Sequence, residues 1–215
     1  MGLKETINEI GKQAKKASFE LAMVDDKTKS LSLINASKEL MRNKRNILSE
    51  NKKDVSEALK KKLSKALIDR LLLDSDRIDS ICKGMEDIAK LNNPVGKKIS
   101  SWRRPNGLQI EKVSVPLGVI GVIYESRPNV SADAAALCLK SSNATILRGG
   151  SESFYSSSII INLINKSFRK SGLPIGTLQN IPTTEREAVG YLLKLDNYVD
   201  VIVPRGGKSL IERVS

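Results

Sequence analysis

Apolar residues recur at two different periods along this chain, and the change of period divides it. In the first part the spacing is helical. Leu3, Ile7, Ile10, Ala14 and Ala17 fall three and four residues apart and predict a helix with one apolar stripe. Leu31, Ile34, Leu40, Met41, Ile47 and Leu48 predict a second stripe. A lysine-rich helix is expected around Val55, Ala58 and Leu59, and a short one over residues 66–73. Asp74, Ser75 and Asp76 supply an N-cap and first-turn carboxylates for a further helix, with Ile78, Ile81, Cys82, Met85 and Ile88 on its inner face.

The pattern then breaks. All 7 prolines lie at or beyond Pro94, and only Gly2, Gly11 and Gly84 precede it. Residues 92–107, with Pro94, Gly96, Pro105 and Gly107, read as a connector with turns, and Trp102 is expected to anchor that loop to the body. Leu108, Ile110, Val113 and Val115 alternate imperfectly, as in a half-exposed strand suited to contact with another subunit. The β-branched run Val119, Ile120, Val122, Ile123 leads into a polar turn over residues 125–129, a helix over 131–140 and a second apolar run over 144–147.

The alternation continues with a helix over 154–169, a short strand over 179–181, a helix opened by the capping-box spacing of Thr184 to Glu187, a strand over 199–203 and a last helix over 208–214. The fold class that follows is α/β: a doubly wound, mostly parallel sheet behind a layer of helices. Residues 1–107 are expected to pack, as a helical segment and connector, on a strand–helix portion over 108–215.

Composition narrows the function. The net charge of +12 raises a nucleic-acid partner, but the lysines are spread over several helices and aromatics are only 4% of residues, so no stacking platform accompanies them. No nucleic-acid or membrane partner is expected: no apolar run approaches the roughly 20 residues of a membrane span. Histidine is absent, which removes every histidine triad, proton shuttle and histidine–metal site from these residues. The 2 cysteines, Cys82 and Cys138, sit on apolar helix faces and read as structural thiols of a reducing cytoplasm.

Chemistry is expected in the loops after the strands, where sheets of this kind bind ligands. Arg148-Gly149-Gly150-Ser151-Glu152 and Pro204-Arg205-Gly206-Gly207 share a design: an apolar strand, then Arg-Gly-Gly, then a helix. Glycines let backbone approach a ligand, and a guanidinium grips phosphate through paired charge-assisted hydrogen bonds, worth about 1.5–3 kcal/mol. The competing reading is an ordinary turn whose arginine meets a surface carboxylate. In the loop of Ser126, Arg127, Pro128 and Asn129, the Arg127 guanidinium or the Asn129 amide is placed to face a substrate phosphate or carbonyl, against simple turn chemistry around Pro128. The dinucleotide fingerprint G-x-G-x-x-G is missing, so pattern alone implies a nucleotide-binding layer and does not name the nucleotide.

The residues themselves go further. Pro116-Leu117-Gly118-Val119-Ile120-Gly121-Val122-Ile123-Tyr124-Glu125-Ser126-Arg127-Pro128-Asn129-Val130, the run from Ala132 to Lys140, and Leu147-Arg148-Gly149-Gly150-Ser151-Glu152 resemble the signature of the gamma-glutamyl phosphate reductases, a branch of the aldehyde dehydrogenases. Arg104-Pro105-Asn106-Gly107-Leu108, Gly172-Leu173-Pro174 and Val203-Pro204-Arg205-Gly206-Gly207 are similar in order and spacing. Ser142 stands where that pattern has Gly, and Ser153 where Ala is usual.

The resemblance implies an aldehyde-dehydrogenase-like fold with a Rossmann-like cofactor site. It implies the proline-biosynthetic reduction of L-glutamyl 5-phosphate by NADPH to L-glutamate 5-semialdehyde, through a cysteine thioester. By the same resemblance Arg148, Gly149, Gly150, Ser151 and Glu152 hold the adenosine end of NADPH, with Arg148 on the 2′-phosphate. Arg205, Gly206 and Gly207 lie by the pyrophosphate. Ser126, Arg127, Pro128 and Asn129 face the nicotinamide and the substrate, which Arg127 and Asn129 contact. A homo-oligomer is implied for the full-length enzyme. Neither cysteine matches the nucleophile's motif, which in the family lies beyond the length of this chain. The expectation is a cofactor-binding part without the catalytic domain and without reductase activity of its own. A non-catalytic nucleotide-binding module remains the alternative.

Overall fold

The computed structural model describes residues 2–214. Five helices come first: α1 (Leu3–Leu21), α2 (Asp26–Arg42), α3 (Lys44–Lys60), α4 (Lys65–Leu71) and α5 (Ser75–Lys90). Their starts follow from short polar side chains. Asp25 accepts the Thr28 N–H at 2.8 Å, Ser64 that of Leu67 at 3.3 Å and Asp74 that of Arg77 at 2.8 Å, each satisfying a donor that has no partner within the helix. The second apolar stripe belongs to two helices, not one. The chain breaks at Asn43, and Leu31 and Met41 are 53% and 43% exposed while Leu33, Ala36 and Leu40 are buried. A single helical period cannot be carried across a break that resets the phase.

The supposed connector also holds a strand. β1 (Lys98–Arg103) pairs antiparallel with β2 (Gln109–Val113), from Lys98 opposite Val113 to Arg103 opposite Gln109. The breakers only bracket this hairpin: the Arg104 N–H donates to Leu108 O at 2.8 Å across a turn in which Gly107 has φ +88. Trp102 lies on β1 and is 46% exposed, so it does not anchor the segment to the body.

The rest alternates: β3 (Val119–Tyr124), α6 (Asn129–Lys140), β4 (Ala144–Arg148), α7 (Phe154–Lys170), β5 (Leu178–Asn180), α8 (Glu187–Leu192), β6 (Val201–Arg205) and α9 (Lys208–Val214). The sheet is wholly parallel, in the order β5-β4-β3-β6, and β3 and β4 are buried at every residue. Helices α6 and α7 cover one face with α2, α3 and α5 outside them; α1 and α8 lie on the other. One apolar cluster joins residues from both parts of the chain, from Ile7 and Leu33 to Val122 and Ile146. Among the described residues no helix is long and apolar enough to cross a membrane.

Polar contacts set how these layers meet. At the amino end of the sheet Asp200 accepts the Val119 N–H at 2.8 Å and the Lys15 ammonium at 2.8 Å, while its own N–H donates to Val119 O at 3.0 Å. Gly118 beside it has φ +117, and a Cβ there would lie 2.3 Å from Asp200 Oδ2, so only glycine fits. Between layers, the buried Asp54 of α3 accepts the N–H groups of Tyr155 (3.1 Å) and Ser156 (2.8 Å) and the Ser156 hydroxyl, capping α7 from another helix. Lys29, 1% exposed, donates to Ser142 Oγ at 2.8 Å. Ser142 has φ +59, which explains why the related pattern has glycine there; the lysine contact offsets the cost of a side chain in that conformation.

Asp54→Ala is expected to lower stability by about 2–3 kcal/mol, measured by chemical denaturation, because it leaves helix donors and a hydroxyl buried without an acceptor. Burial tends to raise the Asp200 carboxyl, but the Lys15 ammonium and the Val119 N–H outweigh it and hold the group below the ordinary aspartate value. A depressed carboxylate contributes stability above its unfolded pKa and loses it as pH falls through the folded value. Asp200→Asn should therefore cost about 1 kcal/mol near neutrality and nothing once wild-type Asp200 is protonated. Equal loss at both ends of an acid titration would contradict this account.

Candidate functional site

In the sheet order β5-β4-β3-β6 the direction of strand addition reverses between β3 and β6. The helix that follows β3, α6, lies on one face of the sheet and α8, which leads into β6, on the other, and the crevice outside the carboxyl ends at such a switch point is where sheets of this kind bind ligands. The crevice is closed at its floor by Glu125, whose N–H donates to Arg205 O at 3.2 Å and whose Oε2 accepts the Gly207 N–H at 3.1 Å. A cleft of about 280 Å³ opens there, lined by Ser126, Arg127, Arg205, Gly206 and Gly207, together with Arg70 from α4. A second cleft, of about 480 Å³, is lined by Arg70, Arg77, Arg127, Asn129 and Asp133.

The structure thus brings the Ser126–Asn129 loop and the second Arg-Gly-Gly together. Among the described residues none of Arg70, Arg127 or Arg205 forms an ion pair, although Glu125 lines the same cleft and Asp133 lies within reach of the Arg205 charge. Pro128 is buried and precedes the first residue of α6, where its fixed φ of −58 suits a helix start. Asn129 is partly buried, and its Nδ2 donates to Asp133 Oδ2 at 3.0 Å. Burial pushes the Asp133 carboxyl up, opposed by the Asn129 hydrogen bond and the Arg205 charge.

The first Arg-Gly-Gly departs from expectation. Arg148 is 6% exposed and turns inward, donating from Nη2 to the carbonyls of Thr184 (3.0 Å) and Glu185 (3.3 Å) and from Nη1 to that of Gly149; its buried Nε has no partner. Burial draws this guanidinium below its ordinary value, against the opposing pull of Tyr124 and Glu152. In this arrangement it is a clamp on the segment before α8, not an open ligand for a 2′-phosphate. The capping-box spacing at Thr184 does not become a cap: the N-cap of α8 is Arg186, with no side-chain cap hydrogen bond. Arg148 occupies the carbonyls of residues 184 and 185, and α8 begins only at Glu187.

The glycines after the arginines serve the protein's own side chains as much as any ligand. A Cβ on Gly149 would meet the Tyr124 ring at 2.9 Å, one on Gly150 the Glu152 carboxylate at 2.8 Å, and one on Gly206 the Glu125 carboxyl at 2.6 Å. Glu152 in turn accepts the hydroxyls of Ser126 (3.3 Å) and Ser151 (3.1 Å), linking the loops after β3 and β4. Beyond them a cleft of about 370 Å³ is lined by Lys61, Ser151, Thr183 and Thr184.

Three of these residues have no local signature. Arg70 and Lys61 come from the helical first part of the chain, and Glu125 looks like any turn carboxylate until Gly207 folds over it. Cys82 and Cys138 are 2% and 7% exposed, and burial raises both thiols, the reverse of what a nucleophile needs. No group of three or more His, Cys, Asp or Glu side chains among the described residues is arranged to hold a metal ion.

Similarity to known proteins agrees with this architecture. A gamma-glutamyl phosphate reductase of Paramagnetospirillum magneticum is 52% identical over 208 residues, which are 97% of this chain and 49% of the relative. One of Caldanaerobacter subterraneus is 50% identical over 203 residues, 94% of this chain and 49% of that protein. The chain therefore spans about half the length of the curated relatives it matches. The crystal structure of the Thermotoga maritima gamma-glutamyl phosphate reductase superposes with a TM-score of 0.94 at 36% identity, over 97% of this chain and 50% of that one. A NAD-dependent benzaldehyde dehydrogenase from Corynebacterium glutamicum, 19% identical, shares the fold with a TM-score of 0.79 over 98% of this chain and 43% of that one. The family model described as "Aldehyde dehydrogenase family" matches residues 4–215. On that match, which takes in all of the sheet and its clefts, the chain belongs to the aldehyde dehydrogenase family.

Proposed function

We propose that this chain is the cofactor-binding part of a reductase that converts L-glutamyl 5-phosphate to L-glutamate 5-semialdehyde with release of phosphate, using NADPH. The observation that carries the reading is the crevice between β3 and β6, lined by Arg70, Arg127 and Arg205, none of which forms an ion pair among the described residues. The likeness to gamma-glutamyl phosphate reductases supports it.

The donors suit a dinucleotide. Arg205 offers a fork to a pyrophosphate, and the Gly207 N–H, held by Glu125, becomes available if that carboxylate swings away. Bound there, NADPH supplies the hydride. The chain's own residues bind and orient. Asn129, steadied by Asp133, presents its amide where a reacting carbonyl oxygen gains negative charge, and Arg127 meets the substrate's anionic end. Gly149, Gly150, Ser151 and Glu152 border the adenosine end. With Arg148 turned inward, the 2′-phosphate falls to the cleft of Lys61, Ser151, Thr183 and Thr184. In this reading neither Cys82 nor Cys138 is the attacking thiol.

The same reading gives a cytoplasmic homo-oligomer in which the β1–β2 hairpin meets a second copy. Its exposed Ile99, Trp102 and Val113 (58%, 46% and 45%) support that contact.

Fluorescence titration of the purified chain with NADPH and NADH tests the cofactor. NADPH should bind more tightly, Lys61→Ala should weaken it about tenfold without changing NADH, and Arg148→Ala should weaken both alike by loosening the clamped segment. Equal binding of both cofactors, untouched by Lys61→Ala, would contradict the 2′-phosphate placement. No phosphate-dependent oxidation of glutamate semialdehyde is expected from these residues alone; measurable turnover would show that one of the buried cysteines reacts.

A further inference from the structure

Among the described residues Arg70 is the one arginine lining the smaller cleft that does not come from a sheet loop, and contacts from two other helices hold the segment that carries it. Helix α4 has 7 residues and buries only Leu71, too little to hold a helix of that length by packing alone. Its C-terminal end is held by side chains of two other helices instead. Arg77 of α5 donates to the carbonyls of Asp69 and of Leu72 (2.8 Å). Asn51 of α3, itself buried, donates to Leu71 O at 2.8 Å and accepts the Leu73 N–H at 2.8 Å. Arg77 also takes the Asp69 carboxylate at 2.8 Å, so the acid adjoining Arg70 in sequence is engaged elsewhere.

Arg70 and Arg127 line both clefts, whereas Arg205, Gly206 and Gly207 line only the smaller one, and Asn129 and Asp133 only the larger. The two guanidiniums therefore stand at the partition between the cofactor side and the substrate side of the site. Both are exposed, both lack an ion-pair partner among the described residues, and each presents a planar fork of donors matched to a tetrahedral oxyanion.

We propose that Arg70 and Arg127 form a phosphoryl clamp, with Arg70 a binding residue supplied by the helical first part of the chain. The phosphoryl group it takes is that of the acyl phosphate, and afterwards the phosphate released, because the pair adjoins Asn129. This assignment rests on the function proposed above; the clamp itself rests only on the arginines and the clefts.

Isothermal titration of the chain with inorganic phosphate, in phosphate-free buffer, tests it. Wild type should bind phosphate at millimolar concentration. Arg70→Ala should weaken it about tenfold or more, and Arg70→Lys should recover only part, since charge returns without the fork. Arg45→Ala, which removes the same charge from an exposed position on α3, should change nothing. Thermal melts establish that each variant is folded, and Arg70→Lys carries the comparison if Arg70→Ala does not fold. Absence of phosphate binding in the wild type, or equal effects of the Arg70 and Arg45 variants, would overturn the clamp. Repeating the titration with NADPH present separates the sources. Unchanged phosphate affinity, with NADPH binding indifferent to Arg70→Ala, supports the acyl phosphate. Competition, with both ligands weakened by Arg70→Ala, would overturn that assignment in favour of the cofactor's pyrophosphate. Failure of NADPH to bind at all counts against the proposed function and leaves the phosphate result standing.

Discussion

The parallel pairing of β3 with β6 is the constraint on which the site depends. These strands are far apart in sequence and adjacent in space, so nothing local holds their register, from Ile120 opposite Val201 to Tyr124 opposite Arg205. Carboxylates secure it at both ends. Asp200 binds the first N–H of β3 and the Lys15 ammonium of α1; Glu125 binds the Gly207 N–H just past β6. A slip of one residue would turn every buried side chain to the other face and carry Arg205 away from Arg127. The crevice, its arginines and the proposed anion sites all follow from this pair being in register.

Around it, the helical first part does more than cover a face. Asn51, Asp54 and Lys29 are buried polar groups whose hydrogen bonds run to α4, to the start of α7 and to the loop before β4. Each is directional, so the layers meet in one arrangement and not merely at one distance. That arrangement is what carries Arg70 and Lys61 to the carboxyl edge of a sheet to which they do not belong.

The fold was largely legible in the residues because period reflects burial: threes and fours marked the helices, a β-branched run marked β3 and a short apolar run marked β4. Misreadings arose where a pattern had two explanations. Prolines and glycines around residues 92–107 bracket a hairpin as well as they bracket a loop. The capping-box spacing at Thr184 is present as a spacing, but Arg148 holds the segment of residues 184 and 185 outside the helix, which starts at Glu187 with Arg186 as its N-cap. By sequence the glycines after Arg148 and Arg205 offer room for a ligand. Tyr124, Glu152 and Glu125 fill much of that room.

Sequence by itself determined the alternation of strands and helices, the lack of histidine in these 215 residues, the apolar setting of both cysteines and the family resemblance, since each depends only on residue identity and near-neighbour spacing. Tertiary structure alone decided which charges are free. Arg148, Arg127, Arg205 and Arg70 are chemically the same side chain. Whether one becomes a buried clamp or an open phosphate donor depends on which carbonyls and carboxylates lie within about 3 Å, and those come from segments tens of residues away in the chain.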